Sequence, residues 1–372
     1  MASLVKTDTI SSTTASSPTV TLPTPTAPAS WYVGRNILIN GAMQIAQRAT
    51  SVASANATPA YCVDRFRCFV RGAGAATWTQ TTTVPSGEGF GNSFRWDVTT
   101  VDSSLASNDL YMIDQNIEGQ DLQQLAKGTS DAKQLTLSFW VRSTKTGTYI
   151  IQLVDEDNSR HICQAYTISV ADTWEYKTLT FAGDTTGALG NDNGGSLRAR
   201  WYLAAGTDYT SGTLATTWAA QVTANRAVGQ VNFFDSTSND FYLTGVQLEV
   251  GSAATPFEHN TYGQELQDCE RYYQTYGRGF HAFGISGTTI DSQFSFRQIM
   301  RASPSVTLLD TTPKFSQLNV AARTGTSSSI TTSSLAPDGA GLVRVDGFSS
   351  VGSNSVCIGD QSTPIFGFDA EL

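Results

Sequence analysis

Acidic and histidine side chains are the groups in this sequence that could catalyse a reaction or hold a metal ion. The densest acidic cluster, Asp155–Asn158, follows the mainly apolar run Tyr149–Val154. This position is typical of a solvated hairpin turn, with a calcium site or a catalytic carboxylate pair as the alternatives. His161, His259 and His281 are far apart and match no metal-binding spacing.

No motif of covalent or cofactor chemistry accompanies these residues. The sequence has no Gly-x-Ser-x-Gly elbow, no phosphate-binding loop and no dinucleotide-binding glycine pattern. His161 falls in an alternating strand, where a structural role is expected. We therefore predict no catalytic residue, no cofactor and no bound metal ion, and the chain is not expected to be an enzyme.

Aromatic side chains offer a different chemistry, because the chain has 7 Trp, 13 Tyr and 18 Phe. Trp140 lies out of phase with the apolar Leu137 and Phe139 and therefore belongs to the opposite face of its strand. A face with aromatic rings and guanidinium groups suits sugars, because rings stack on the C–H faces of a pyranose and arginine bonds its hydroxyls. The candidate contacts for a glycan or receptor are Trp140, Arg142, Tyr176, Arg198, Arg200 and Tyr202. The alternative is that a strand, a loop or another subunit covers this second face.

Alternation of apolar and polar residues with a period of two dominates residues 36–257. Clear examples are Phe94–Val98, Leu135–Val141, Leu197–Leu203 and Val246–Val250. Such alternation indicates strands with one buried face, and one short helical pattern occurs at 118–126. About ten strands separated by turn signals predict an all-β jelly-roll β-sandwich.

Residues 262–276 interrupt the β pattern with helical spacing. Leu266, Cys269 and Tyr273 recur at i, i+3 and i+7, and Thr261 is placed to cap the helix. The helix is predicted to connect two units. Its Leu-Cys-Tyr strip is expected to pack between domains, or alternatively to form an oligomer or hinge contact.

Composition divides the chain into four segments. Residues 1–35 are rich in Ser, Thr, Ala and Pro, which favours an extended attachment arm without a core of its own. Residues 36–257 are the predicted jelly roll, and residues 258–277 are the helical connector. Residues 278–372 have strand patterns again and predict a second, smaller C-terminal β-sandwich, the candidate receptor-facing domain.

Length and charge exclude several other classes of protein. The 372-residue chain has 23 Lys and Arg against 32 Asp and Glu, a net charge of −9. This charge opposes electrostatic capture of nucleic acid or of an anionic membrane surface, and no apolar run is long enough to span a membrane. We therefore predict neither nucleic-acid binding nor membrane insertion.

The five cysteines form no metal-type pair. Cys62 and Cys68 are predicted to share one strand, where their separation would prevent a disulfide. The other three cysteines are isolated in the sequence. All five are expected to be buried, reduced thiols.

Several stretches, in order along the chain, resemble one family. Asn36–Thr50, with the sequence NILINGAMQIAQRAT, resembles the opening of phage virion proteins that carry a carbohydrate-binding-module-like jelly roll. Residues 61–66, YCVDRF, resemble the motif that follows it, and residues 241–251 resemble the closing strand. Further similar stretches are 5–10, 254–258, 264–273 and 300–307.

The resemblance implies a structural virion protein of a tailed phage, such as a tail fibre or a tail-associated receptor-binding protein, often a homotrimer. It implies attachment to other virion proteins through residues 1–35 and contact with a host surface glycan or receptor. Carbohydrate-binding modules of this fold often hold calcium beside an acid that follows the opening Asn-Gly. Gln44 stands in that neighbourhood here, so no equivalent ion is expected. The protein would be assembled in the host cytoplasm and located in the virion.

Two other functions are compatible with the sequence. A capsid decoration or head-fibre protein would use the arm to bind the major capsid protein. A polysaccharide depolymerase is disfavoured, because the sequence has neither an evident carboxylate pair nor an internal repeat.

Overall fold

The described part of the chain is all-β, as predicted. A computed structural model describes residues 34–310, 313–317, 323–324, 330–332, 335–348, 351, 355–360 and 363–372. The predicted attachment arm, apart from Gly34 and Arg35, lies outside the described residues. No described helix has the length and apolar character needed to cross a membrane.

Two antiparallel sheets form the jelly-roll sandwich. The six-stranded sheet contains, in spatial order, β1 (Ser51–Ala53), β4 (Ala75–Thr81), β5 (Ser93–Thr100), β13 (Asp240–Val250), β7 (Leu135–Ser143) and β10 (Glu175–Phe181). The seven-stranded sheet contains β12 (Ala219–Ala220), β9 (Arg160–Ile168), β8 (Gly147–Asp155), β11 (Gly195–Ala205), β6 (Leu110–Glu118), β3 (Arg67–Arg71) and β2 (Ala60–Tyr61).

The core fills the space between these two sheets. Leu135, Leu137, Phe139 and Val141 of β7 all point into it, which confirms the predicted alternation. Trp78, Trp96 and Trp201 are fully buried there. Burial of each such side chain stabilises the fold by roughly 1.5–3 kcal/mol relative to exposure.

A bulge divides β13 into two halves. Thr244 pairs with Trp140 and Gln247 pairs with Ser138, so Gly245 and Val246 together stand opposite one residue of β7. The extra residue resets the alternation of side chains. Val246 therefore joins the core, while Gln247, like Thr244 before the bulge, faces outward.

The outer face of the seven-stranded sheet is covered by the chain itself. Residues between β11 and β13, including α1 (Thr207–Thr210) and the 3₁₀ helices Thr223–Asn225 and Phe233–Asp235, form this connection. Tyr209 and Ala227 from this segment pack on Ile150, Cys163 and Tyr202 of the sheet in a second, smaller apolar cluster.

The C-terminal region forms a second, smaller pair of sheets. Its three-stranded sheet contains β14 (Tyr273–Tyr276), β23 (Phe366–Asp369) and β17 (Ser305–Leu308). Its seven-stranded sheet contains β19 (Arg323–Thr324), β18 (Lys314–Gln317), β22 (Val356–Asp360), β15 (Arg278–Ser286), β16 (Thr289–Gln293), β21 (Val343–Asp346) and β20 (Ile330–Thr332). Phe280, Phe294 and Phe366 lie in its core.

The connecting helix is shorter than the sequence predicts. Helix α2 covers Tyr262–Glu270, and the Thr261 hydroxyl caps it by accepting the Gln264 N–H. The prediction that Tyr273 lies on this helix is wrong, because Tyr273 begins β14 and pairs with Asp369. The aromatic run that follows α2 favours a strand, and β23 supplies the pairing partner. The helix predicted at 118–126 is a 3₁₀ helix at Gly119–Leu125.

The cysteines are all free and buried, as expected. The prediction that Cys62 and Cys68 share a strand is wrong. Cys68 belongs to β3, whereas Cys62 follows β2, and these two strands pair with each other in antiparallel fashion.

The motifs that carry the family resemblance meet between the two sandwiches. Arg48 pairs with Asp369, and its guanidinium lies 3.7 Å from the centroid of the Tyr273 ring. Arg65, only 2% exposed, forms an ion pair with Glu371 and lies 3.4 Å from the centroid of the Tyr272 ring. These ion pairs and cation–π contacts join β14 and the C-terminal residues to the jelly roll.

Asp64 stabilises the same contact between the two sandwiches through Gln47. Its carboxylate accepts hydrogen bonds from the backbone N–H of Gln47 at 3.0 Å and from Gln47 Nε2 at 2.7 Å, and Gln47 Nε2 also reaches the Tyr273 carbonyl at 2.8 Å. Burial raises the pKa of Asp64 to about 6, although Arg48 lowers it. The motif residues therefore have structural partners.

Glu118 provides a second link between the sandwiches. It is fully buried, and its carboxylate accepts hydrogen bonds from Arg271 Nε at 2.7 Å, Arg271 Nη2 at 2.6 Å and the Tyr272 hydroxyl at 2.6 Å. Burial by itself would raise the pKa of Glu118. The hydrogen bonds from Arg271 and Tyr272 outweigh burial and hold the pKa below its usual 4.5.

Replacing Glu118 tests this link. We expect Glu118→Gln to lower the free energy of unfolding by about 3 kcal/mol, because the fully buried carboxylate is the shared acceptor of the half-buried Arg271 guanidinium and the buried Tyr272 hydroxyl. A carboxylate with a lowered pKa stabilises the fold above its usual pKa, so the wild-type advantage should be complete above pH 4.5 and decrease below it. Urea unfolding at several pH values measures this difference.

Lys145→Ala is the matched control, because the Lys145–Asp235 pair is about one-third exposed at each end. This variant should change the free energy of unfolding by no more than about 1 kcal/mol. Equal effects of the two substitutions would contradict a structural role for Glu118.

Candidate functional site

The outer face of the six-stranded sheet carries two paired aromatic side chains. Trp140 of β7 lies directly opposite Tyr176 of β10 in the strand register. Their ring centroids are 5.3 Å apart and the ring planes are inclined by 47°. Tyr176 is 45% exposed. The alternation that buries Phe139 and Val141 thus displays Trp140 on the other face.

Three further rings stand beside this pair. Phe90 comes from the loop between β4 and β5, and Phe257 and His259 come from the segment that follows β13. Ring centroids are 5.0 Å apart for Phe90 and Phe257, 5.2 Å for Phe90 and His259, and 4.9 Å for Phe257 and His259. The three rings therefore form one contiguous aromatic group.

These rings border a cleft of about 610 Å³, which we call the aromatic cleft. Its lining residues are Glu88, Phe90, Trp140, Tyr176, Gly245, Ala254, Thr255, Pro256, Phe257 and His259. The volume lies in the range of small-molecule sites, roughly 300–1,000 Å³. Aromatic walls with a few polar groups are the composition that a sugar ring requires.

The polar groups of the aromatic cleft are few, and they include one acid. Glu88 is exposed at the cleft, and the described lining has neither Lys nor Arg. Partial burial lowers the pKa of His259 below its usual 6.5, so its imidazole is neutral at pH 7. The aromatic cleft is consequently suited to uncharged hydroxylated ligands rather than to anions.

The bulge in β13 creates the floor of the aromatic cleft. Gly245 has φ of +61°, a left-handed conformation that favours glycine. A Cβ atom at this position would lie 2.6 Å from Phe90 Cζ and 3.1 Å from Trp140 Cδ1. The bulge therefore depends on glycine for the close approach of both rings.

The 254–259 segment, which we call the cleft wall, is held by buried side chains of β13. Glu249 accepts the backbone N–H of Thr255 at 2.8 Å and its hydroxyl at 2.7 Å. Gln247 accepts the backbone N–H of Glu258 at 2.8 Å. Both side chains face outward because of the bulge.

The six candidate contact residues do not form one site. Trp140 and Tyr176 line the aromatic cleft, and Arg142 lies on the same sheet face but is bound to Asp172 at 2.6 Å and 2.9 Å. Their role as sugar contacts stays a prediction.

Arg198, Arg200 and Tyr202 lie on β11 of the other sheet. Tyr202 has no exposed surface and donates to Gln152 Oε1 at 2.7 Å, while Arg200 is 5% exposed and reaches Asp114 Oδ2 at 3.4 Å. The expectation that these two residues contact a ligand is wrong, because both side chains are buried and bound to other residues of the sheet. Tyr202 also packs against Tyr209 and Ala227 of the connection between β11 and β13. Arg198 is mostly buried beside Asn116 and Glu156.

The predicted strip of the connector serves contacts within the chain. Cys269 is 1% exposed, Tyr273 packs beneath Arg48, and Leu266 is half-buried. A contact of these residues with another subunit stays a prediction.

The acidic hairpin turn is confirmed between β8 and β9, but its first residue is not solvated. Asp155 is fully buried and forms an ion pair with Lys127, which also lies 3.1 Å from Asp184. The lysine ammonium thus supplies the positive charge that these carboxylates require. Among the described residues, no group of three or more His, Cys, Asp or Glu side chains is arranged to hold a metal ion.

Sequence reasoning missed Phe90, Phe257, His259 and Gly245. The first three lie in loops, where no periodicity distinguishes a ring that lines a cleft from one that fills a core. The Thr-Gly-Val step in β13 is the one available signal, because an isolated glycine within a strand pattern suggests a bulge or a close approach.

Comparisons with known proteins give similar folds at low identity. No protein-family model matches the chain, and no curated protein matches it. The enzymatically active domain of tailspike protein 4 of bacteriophage CBA120 is 15% identical with a TM-score of 0.31, over 58% of this chain and 21% of that chain. The alignment thus spans about a fifth of the tailspike chain.

Carbohydrate-binding modules are similar in the same way. TmCBM61 in complex with β-1,4-galactotriose is 9% identical with a TM-score of 0.29, over 58% of this chain and 99% of that chain. The family 11 module from Clostridium thermocellum, in complex with a mixed-linked tetrasaccharide, is 10% identical with a TM-score of 0.28, over 57% and 99%. Because these values are low, nothing about this chain's ligand follows from them.

Substitution of Gly245 tests the floor of the aromatic cleft. Gly245→Ala should lower the free energy of unfolding by about 2 kcal/mol, because it combines a left-handed backbone with a clash against Phe90. Gly263→Ala in α2 is the control, since nothing lies within 4 Å of its Cβ position. We expect this control to be neutral or stabilising by up to about 1 kcal/mol in urea unfolding. Similar values for both variants would contradict the packing role of Gly245.

Proposed function

We propose that this chain is a non-catalytic, glycan-binding structural subunit of a tailed-phage particle. The observation that carries the proposal of glycan binding is the aromatic cleft, where Trp140 and Tyr176 form a platform on the outer face of the six-stranded sheet. The rings of Phe90, Phe257 and His259 form a contiguous aromatic group beside this platform. This arrangement offers flat apolar surfaces and a few hydrogen-bonding groups to a single ligand.

The charge of the aromatic cleft favours glycans built from uncharged sugars. Glu88 would repel a carboxylate or a phosphate on the ligand, and the neutral His259 would not offset this repulsion. The hydroxyl of the 45% exposed Tyr176 is available as a partner for sugar hydroxyls. An acidic capsular polysaccharide is therefore a poorer candidate than a neutral one.

The assignment to a phage particle rests on the sequence motifs. Residues 36–50, 61–66 and 264–273 resemble the corresponding stretches of phage virion proteins, and residues 1–35 have the composition of an attachment arm. In this proposal the arm binds other virion proteins, three copies associate, and the virion displays the aromatic cleft to the host surface. Weak individual contacts then gain strength through multivalency.

Truncation of the platform is the direct test of glycan binding. Trp140→Ala should weaken binding to a neutral host-surface polysaccharide about tenfold or more, because a central aromatic contact contributes about 1.4 kcal/mol or more. Titration calorimetry with full-length protein measures the change. Tyr262→Ala is the matched control, because Tyr262 is 61% exposed and is not among the lining residues of the aromatic cleft.

Equal affinity of Trp140→Ala and wild type, with both proteins folded, would rule out the aromatic cleft as the binding site. Adsorption of the phage that encodes this chain gives the second measurement. Saturating full-length protein should block adsorption, and Trp140→Ala should block it less. Glycan binding without any block would favour the capsid-decoration alternative.

A further inference from the structure

The cleft wall has no regular secondary structure, yet it forms half of the binding site. Five of the lining residues, Ala254–Phe257 and His259, belong to it. A segment of this kind lacks the ladder of backbone hydrogen bonds that fixes a strand, so the side-chain bonds that anchor it are important for its position. The partners of Glu258, Thr255 and Pro256 therefore determine where Phe257 and His259 stand.

The Glu258 side chain is not part of the cleft lining and instead binds the first backbone amides of the described chain. Its Oε1 accepts the backbone N–H of Gly34 at 2.6 Å, and its Oε2 accepts those of Arg35 at 2.7 Å and Asn36 at 2.8 Å. Successive backbone N–H groups directed at one carboxylate form an anion-binding concavity. We call residues Gly34–Asn36 the arm root, because residues 1–33 continue from it.

Arg35 makes the second connection, directly to lining residues. Its Nη1 donates to Thr255 Oγ1 at 2.5 Å, and its Nη2 donates to the Pro256 carbonyl at 3.2 Å. The guanidinium thus clamps two consecutive residues of the cleft wall, while Glu258 anchors a third.

From these contacts we propose that the arm root positions the cleft wall, so that Arg35 and Glu258 are positioning residues for the glycan site. This inference rests on the proposed function. A pre-ordered wall loses less conformational freedom when a glycan binds, so the anchored wall binds more tightly than a loose one. The coupling is reciprocal, because any ligand that fixes the wall also fixes the arm root.

Two full-length variants test the positioning role. Arg35→Ala and Glu258→Gln should each speed hydrogen exchange of the Thr255 and Glu258 amides about tenfold or more. Each variant removes charged hydrogen bonds between the arm root and the cleft wall, so the wall should open more often. Amides of the core strands β5 and β7 should keep their wild-type rates. Arg71→Ala is the control for Arg35→Ala. Arg71 also donates to a loop carbonyl, that of Asn108, but it belongs to β3 of the seven-stranded sheet.

Affinity provides the second readout. Both variants should bind the neutral polysaccharide at least about fivefold more weakly than wild type, as expected for coupled sites. Saturating polysaccharide should slow amide exchange of Gly34–Asn36 in wild type and should do so less in Glu258→Gln. A residue that only stabilises the overall fold would not produce this ligand-dependent protection of the arm root.

The outcomes separate the two proposals. Unchanged exchange of the Thr255 and Glu258 amides in both variants overturns the positioning role, whatever the affinity. If both variants bind the neutral polysaccharide with wild-type affinity, the proposed effect of the arm root on glycan binding is overturned. If wild type binds no glycan, the proposed function fails, and the exchange rates still decide whether the arm root positions the cleft wall.

Discussion

The one-residue bulge in β13 is the constraint on which both faces of the six-stranded sheet depend. Because Gly245 and Val246 together oppose one residue of β7, Val246 and Leu248 enter the core while Gln247 and Glu249 face outward. If the same residues continued in regular register without a bulge, the second half of β13 would bury its polar side chains and expose its apolar ones. The same bulge brings Phe90 against Trp140, so core packing and cleft geometry have a common origin.

The opening motif of the chain completes this bulge. The Gly41 carbonyl accepts the Val246 N–H at 2.9 Å, and Asn36 Nδ2 donates to the Val246 carbonyl at 2.9 Å. Val246 thus finds partners for the backbone groups that the bulge takes out of the ladder. The residues that produce the family resemblance therefore build the architecture of the chain, and the rings that line the aromatic cleft lie mostly outside these motifs.

Alternation of apolar residues predicted the all-β fold and the direction of the β7 side chains, because each strand records which of its faces is buried. It could not predict whether the opposite face is open. Trp140 and Tyr202 have the same pattern in the sequence, but the long connection after β11 folds back over Tyr202, whereas Trp140 stays partly exposed and borders the aromatic cleft. The end of α2 was similarly unpredictable, because Tyr273 satisfies a helical spacing while its backbone pairs with β23.

The described tryptophans differ in solvent exposure, and this difference has a consequence for the intrinsic fluorescence of the protein. Among the described tryptophans, Trp78, Trp96 and Trp201 are fully buried in the core, whereas Trp140, Trp174 and Trp218 are only partly buried. An aqueous collisional quencher would therefore dim the outer indoles and leave the emission of the inner three unchanged. Of these described indoles, a sugar seated in the aromatic cleft would shield Trp140, so occupancy would register as a small change in the quenching of the total emission.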